Sequence, residues 1–403
     1  MPLPPTYYDF VKRNHPYVVD STDMDAFDLL SSEPRVTTIH SVDDYKSRFL
    51  DCVEGAEKEI LLNASRQTGM SIDQLRPYLR DSRNNMGVPS AQFYSTINYE
   101  YHCLVNFALS GKKTFYFSDN LADHLVNTEI NLKTNFIKLP FESCMFVFTS
   151  RNSINAMHNI RGNAGRWEIN TTGLDYSAPI SVFLTMFPGN SKLPGRKLII
   201  CACHARPPKK SYLMLKRELY LDETWTLEEA LHTDWENLTP NDLGIGISVG
   251  RESDAVEPLG DEKFYTDGLV FYRMILNSIL YISSDKAELL NKVSPHAEVE
   301  AKAQCAPSMA KRRKILQTGG RYSELDYTEV GHSVGSIVIQ ETKTTDNTLL
   351  GVGKKPMVRF MVRGHWRHQP CGVERQERRL IWIRPFFKGP DLATIVNKPY
   401  VVK

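Results

Sequence analysis

This chain of 403 residues lacks a long apolar run, a strong net charge and a cysteine framework. Its most apolar helical stretch, residues 268–282, is shorter than the roughly 20 residues of a bilayer-spanning helix and contains Arg273 and Asn277. The opening MPLPPTYYDF has no charged segment followed by an apolar one. We therefore expect no secretory signal, no membrane partner and an intracellular protein.

The cysteines are few, and their number is odd. The sequence has seven, and most lie in apolar runs such as FESCMFVF (141–148) and LIICACHA (198–205). Disulfide-stapled proteins are typically short, secreted and rich in cysteine, with an even number of them. We therefore expect buried, reduced thiols.

Familiar enzyme motifs are also missing. The sequence contains no G-x-S-x-G, no H-E-x-x-H and no kinase motif set. GIGISVG (244–250) has the glycines of a phosphate loop but lacks the Walker spacing and the Lys-Ser/Thr ending. We therefore predict no cofactor and no metal, and whether the chain is an enzyme stays open.

Strand and helix patterns alternate along the chain and indicate an α+β fold. Apolar strand patterns at 115–117 and 135–150, followed by further strands up to about 205, predict an antiparallel sheet with flanking helices. An apolar helix is expected at about 264–292. Four parts are predicted: an α+β domain (1–206), an irregular region with the apolar helix (207–292), a basic linker or loop (293–322) and a β-rich region with a basic hairpin (323–403).

Charge is segregated although the net charge is only +2. Residues 354–388 contain ten Lys and Arg against two acids, a local charge of +8, which leaves −6 for the rest of the chain. Any electrostatic partner is therefore expected at this segment.

The basic segment has the pattern of a β-hairpin, with strands at MVRFMVRGHW and RRLIWIRPF. Alternation places Arg363, His365 and Arg367 on one face, and Trp366 and His368 on the other. Guanidinium groups can neutralise phosphates, and indoles can stack on unpaired bases. The residues predicted to contact nucleic acid are Arg363, Trp366, Arg367, Arg378, Arg379, Trp382 and Arg384.

Two readings without nucleic acid stay open for the same segment. Its arginines could belong to a solvated edge hairpin that deters strand pairing. The hairpin could also be a structural lid of a protein-binding module, in which case both tryptophans would be buried.

The histidines suggest two further alternatives. His365, His368 and Cys371 are spaced as zinc ligands could be, but a regular strand sends the two histidines to opposite faces. Cys201, Cys203 and His204 raise the same difficulty, because alternation along a strand sends His204 to the face opposite the two cysteines. His365 beside arginines could instead serve a metal-independent RNA nuclease, with His368 as a second catalytic candidate.

Four stretches together resemble a known family. They are FIKLPFESCMFVF (136–148), MILNSILYISSDKAEL (274–289), VGHSVGS (330–336) and VRGHWRHQPCG…LIWIRPFFKGP (362–390), and the R-G-H-W block is the most specific. They resemble the phage and plasmid family that includes a type V-A anti-CRISPR protein, which lowers production of the type V effector nuclease.

The resemblance implies a protein of the bacterial cytoplasm that acts while a chosen target is synthesised. It would engage the nascent or folded target protein and cause loss of its messenger RNA. The expected partners are therefore RNA or the ribosome, together with the target protein.

Overall fold

A seven-stranded mixed sheet lies at the centre of the fold. The structure is a computed structural model that describes residues 2–20, 42–80, 101, 103–163, 176–189, 195–206, 211–236, 262–340 and 360–388. The strands of the sheet are β1 (Thr114–Phe117), β2 (Ser143–Phe148), β3 (Ile180–Phe187), β4 (Arg196–Arg206), β5 (Ser211–Leu221), β6 (Leu289–Lys292) and β7 (Tyr327–Val330).

Helices cover both faces of this sheet, which confirms the α+β class. They are α1 (Tyr7–Asn14), α2 (Pro16–Asp20), α3 (Val42–Thr68), α4 (Ile72–Arg80), α5 (103–109), α6 (Asp119–Val126), α7 (Arg151–Asn163), α8 (Leu227–Glu236), α9 (Glu262–Ile282), α10 (His296–Gln304) and α11 (Met309–Gly319). No helix in the described ranges is long and apolar enough to cross a membrane.

The prediction of an antiparallel sheet needs correction, because the sheet is mixed. The strand order is β5-β4-β3-β2-β1-β7-β6, and β1 runs parallel to both β2 and β7. A parallel pair needs a crossover connection, and α6 lies in the one between β1 and β2. Residues 206 and 322 were predicted as boundaries between parts of the chain, and this one sheet takes strands from both sides of each. The four-part division of the chain stays a prediction.

The two sheet faces support two separate cores. Phe115 and Phe117 point into the core that contains α6, α7 and α9. Tyr116, between them, points into the core with α1, α3 and α5. The strand period of two thus assigns neighbouring residues to opposite cores, and β2 is buried on both faces.

Two predicted elements differ from the structure. The apolar helix ends at Ile282, and residues 289–292 form the edge strand β6. Residues 293–322 were expected as a linker or loop but carry α10 and α11. Ala, Glu, Gln, Lys and Arg, which favour helix, dominate both segments, and Pro295, Pro307 and Gly320 lie at their ends.

The last part of the chain adds two small sheets. One pairs β8 (Ile339–Gln340), β12 (Phe386–Lys388) and β9 (Phe360–Val362) in that order. The other pairs β10 (His365–Cys371) with β11 (Glu377–Ile383). All seven cysteines are free thiols, and five of them are buried.

Gly331 allows a tight junction after β7. Its φ is about +70°, and an added Cβ would collide with the Leu121 side chain of α6. We expect Gly331→Ala to lower the free energy of unfolding by about 1–3 kcal/mol because of overpacking and backbone strain. Gly335→Ala is the control, because its Cβ would meet nothing within 4 Å. Equal urea denaturation midpoints for the two variants would contradict this.

Candidate nucleic-acid interface

Strands β10 and β11 pair antiparallel and form the carboxyl-terminal hairpin, residues 365–383. Trp366 lies opposite Trp382, and Arg367 lies opposite Ile381. Directly opposed residues of an antiparallel pair point to the same side. The hairpin therefore has an inner face, with Trp366, His368, Leu380 and Trp382, and an outer face, with His365, Arg367, Arg379, Ile381 and Ile383.

The inner face is anchored to the core through Trp366. This residue is only 7% exposed, and its Nε1 donates a hydrogen bond to Asn277 Oδ1 at 2.9 Å. Asn277 lies fully buried on α9, and its Nδ2 donates to the carbonyls of Leu125 and Thr128 at 3.2 and 2.8 Å. One buried amide thus connects the hairpin, α9 and the end of α6.

Trp382 provides a second anchor beside the first. Its Nε1 donates to Thr128 Oγ1 at 3.1 Å, and its ring stacks on Trp366 with centroids 6.3 Å apart. The Tyr281 ring meets it edge-on at 5.4 Å, and the Arg384 guanidinium lies 5.7 Å from its centroid. The Trp382 indole ring is therefore surrounded by contacts within the protein.

The two tryptophans were predicted either to stack on unpaired bases or to brace the hairpin, and their contacts in the described structure are those of bracing. Trp366 is inside the protein, and Trp382 is partly buried against the same core. Burial of the large apolar rings, completed by a hydrogen bond for each indole N–H, explains this placement. Both residues brace the hairpin in the described structure.

Gly364 is the point where the hairpin joins the body. Its N–H donates to the Asn127 carbonyl at 3.0 Å, and the Glu129 N–H donates to the Gly364 carbonyl at 2.8 Å. A Cβ at Gly364 would lie 2.6 Å from Thr128 Oγ1. In the R-G-H-W block, glycine permits this close approach and tryptophan reaches the core.

The structure separates the predicted arginines into different environments. Arg367 and Arg379 are exposed on the outer face, where Arg367 donates to Gln369 Oε1 and Arg379 Nε lies 3.1 Å from Asp285 Oδ2. Arg363 lies 3.6 Å from Glu129 Oε1, outside the hairpin strands.

The remaining two arginines do not join the outer face. Arg384 lies over Trp382, and Arg378 is exposed on the inner side, opposite Pro370. The outer face therefore brings together Arg367, Arg379 and His365, a smaller set than the sequence predicted.

The histidines lie apart, as strand alternation predicts. Both rings are exposed: His365 lies on the outer face, and His368, on the inner face, has its ring centroid 5.2 Å from that of Phe136. The described ranges contain no group of three or more metal-binding side chains. His365 and His368 therefore form neither an acid–base pair nor part of one zinc site.

The second cysteine–histidine motif is also divided between the two faces of its strand. Cys201 and Cys203 point into the core with α1, α3 and α5. The buried ring of His204 contacts His158 of α7, with Nδ1 and Nε2 2.8 Å apart. These three side chains therefore do not surround a common metal position.

Reasoning from the sequence missed Asn277 and Thr128 as parts of this site. The available signal was one carboxamide inside an otherwise apolar helix, a residue type that is rarely buried without hydrogen-bond partners. That signal shows that Asn277 needs partners, but it does not show which ones.

His124 is a buried titratable group behind the hairpin. Its ring lies 6.0 Å edge-on from Trp382, and Nε2 contacts the Gly335 carbonyl at 3.0 Å. Burial lowers the pKa of His124 below its ordinary value, and nearby Arg384 lowers it further, while the Gly335 contact opposes both. The folded protein therefore favours neutral His124.

We expect removal of the Trp366 anchor to destabilise the protein. Trp366→Ala should cost about 3–5 kcal/mol because it empties a core position. Trp366→Phe keeps most of the ring but leaves Asn277 Oδ1 without its donor, so about 1–3 kcal/mol is expected. Chemical denaturation measures both, with exposed Arg378→Ala as the control. A Trp366→Ala variant as stable as that control would contradict the anchor.

The lowered pKa of His124 predicts acid sensitivity. Because the unfolded chain has the higher pKa, near 6.5, it binds a proton first as the pH falls. The contribution of His124 is complete above that pKa and is lost as the pH falls towards the folded pKa. Denaturation between pH 7.5 and 5 should show a shallower loss of stability for His124→Gln than for the native chain. Parallel curves would contradict this.

The family model described as "AcrVA2-like: Anti-CRISPR type V subtype A2 family" matches residues 115–387. The solved structure titled "Crystal structure of AcrVA2" is 10% identical and covers 87% of this chain and 100% of that chain, with a TM-score of 0.34. No curated protein matches the chain.

The matched residues of the family model include the hairpin and both of its anchors. They also include three of the four stretches on which the sequence resemblance rested, and most of the fourth. The predicted resemblance is therefore confirmed. Because the model spans more than half of the sequence, the chain belongs to the AcrVA2-like, anti-CRISPR type V subtype A2 family.

Proposed function

We propose that this anti-CRISPR-like phage protein suppresses expression of a specific target by contacting RNA or the translating ribosome. Membership in the anti-CRISPR family supports the general class. The outer face of the hairpin supports the RNA contact. Engagement of the nascent or folded target protein, in the bacterial cytoplasm, follows from the family resemblance.

The observation that carries the RNA proposal is the exposed pair Arg367 and Arg379. Arg379 lies opposite Gln369, so Arg367 and Arg379 are diagonal neighbours across the strand pair, at a typical separation of about 7–8 Å. The guanidinium groups of two such neighbouring side chains can each meet a phosphate. His365 extends the same face along β10.

The existing contacts of these arginines do not prevent phosphate binding. The ion pair between Arg379 and Asp285 is solvent-exposed, with side chains 59% and 67% accessible. Exposed pairs contribute about 0–1 kcal/mol, so a phosphate can replace the carboxylate at small cost. Within the described part of the chain, the Arg367 guanidinium donates to the neutral amide oxygen of Gln369 and pairs with no carboxylate.

A protein-binding module without nucleic-acid contact is the second candidate. The burial of Trp366 favours it, because this reading expects the tryptophans to hold a structural lid. The two candidates differ in the role of the outer face. Only the first requires Arg367 and Arg379 to meet phosphates.

The salt dependence of single-stranded RNA affinity separates the two candidates. For single strands, log K falls with log salt by about 0.7 per neutralised phosphate, so Arg367→Gln/Arg379→Gln should flatten the slope by roughly 1.4. The matched control is Arg66→Gln/Arg76→Gln, which removes two exposed cations from α3 and α4.

A slope that changes equally in both variants would contradict a hairpin contact. No measurable affinity at low salt would exclude the RNA contact and favour the protein-binding module. The length of the bound RNA should be measured in the same samples, because shortening reports cleavage. A His365→Ala variant that no longer cleaves RNA but still binds it would point to the nuclease alternative.

A further inference from the structure

Helix α11 carries a second concentration of positive charge, separate from the hairpin. Lys311, Arg312, Arg313 and Lys314 are consecutive, and all four are exposed. Among the described residues, no carboxylate lies within ion-pair distance of Lys311, Arg312 or Arg313. The acid Glu298 on neighbouring α10 lies 3.6 Å from Lys302 of the same helix.

The position of these cations does not serve the stability of the helix. They occupy the first half of α11, which begins at Met309 and has no acidic residue in its first turn. Cations near a helix N-terminus oppose the macrodipole, and like charges three residues apart repel each other. Lys311, Arg312 and Arg313 therefore add no stability to the helix, and they are exposed where an anionic partner can reach them.

The packing of α11 leaves most of its circumference accessible. The helix lies in the connection between β6 and β7 and packs chiefly against α10. An added Cβ at Gly319 would lie 2.7 Å from Val299 of α10, so the two helices approach closely there. Ile315 is half-buried and marks the side that faces α10.

The cations surround the exposed part of the helix. At about 100° per residue, Arg312 and Lys314 lie on opposite flanks of Ile315, and Arg313 lies on the outer side. A flat surface can touch only about half of a helix at once. In double-helical RNA the two phosphate rows approach each other across the deep, narrow major groove, so a helix that lies over this groove can meet both rows with cations on its two flanks.

The apolar residues of α11 do not form a membrane-binding face. Met309 and Leu316 are exposed and share one short strip, which is bordered by Arg312 and Arg313. Helices that lie in a bilayer surface separate a broad apolar face from a charged one. The distribution on α11 therefore fits a nucleic-acid groove better than a lipid surface.

We infer that α11 is a second RNA-contacting element, which lies across the narrow major groove of double-helical RNA and contacts phosphates of both strands. The inference deepens the proposed function, since it rests on RNA as the partner and names its structural class. The hairpin would hold single-stranded RNA, and α11 would hold an adjoining duplex.

The test compares a 20-base-pair RNA duplex with a single strand across a salt series, using the full chain. Lys311→Gln/Arg312→Gln/Arg313→Gln should flatten the duplex slope by roughly 2.7, about 0.9 for each double-helix phosphate contact. Duplex affinity at low salt should fall at least about tenfold, and single-strand affinity should stay within about twofold. Lys58→Gln/Arg66→Gln/Arg76→Gln is the control with the same charge change.

Three results would overturn the inference. They are an α11 variant that keeps the native duplex affinity, a control variant that loses as much duplex affinity, and an α11 variant whose only lost affinity is that for vesicles of anionic phosphatidylserine. Arg367→Gln/Arg379→Gln is measured in parallel, so failure of the hairpin contact is seen separately. Removing repelling cations should not unfold α11. If circular dichroism shows otherwise, the single Arg313→Gln variant should flatten the duplex slope by about 0.9.

Discussion

The hydrogen bond from Trp366 to Asn277 is the contact on which the rest of the carboxyl-terminal structure depends. A buried carboxamide is costly unless its donors and acceptor are all satisfied. Asn277 meets that requirement with two carbonyls at the end of α6 and one indole from the hairpin. The needs of this polar group thus position the hairpin together with the Trp382–Thr128 hydrogen bond and the backbone hydrogen bonds at Gly364.

This anchor determines which side of the hairpin can reach a partner. With both indoles turned inward, alternation along the strands turns Arg367 and Arg379 outward. The tryptophans and the arginines, which the sequence places side by side, thus have different roles. The indoles stabilise the hairpin, and the guanidinium groups supply the charge that we propose meets RNA. Helix α11 offers cations on a separate support, in the connection between β6 and β7.

Much of this could be predicted from local sequence, because local patterns determine strands and faces. The apolar run of β2 and the alternation of β10 both indicate strands. Non-local pairing could not be predicted in this way. β1 pairs with β7 more than 200 residues later, and Asn277 meets Trp366 across 89 residues. The helices at 296–319 were missed because proline and glycine at their ends and the basic run 311–314 suggested an exposed loop.

The most direct measurement is photo-crosslinking of the full chain to 4-thiouridine-containing RNA at low salt, with the crosslinked peptides mapped by mass spectrometry. The account predicts crosslinks on the outer face of residues 365–383, with none at Trp366, which lies in the core. Crosslinks found only outside the hairpin and α11, or none at all, would contradict it.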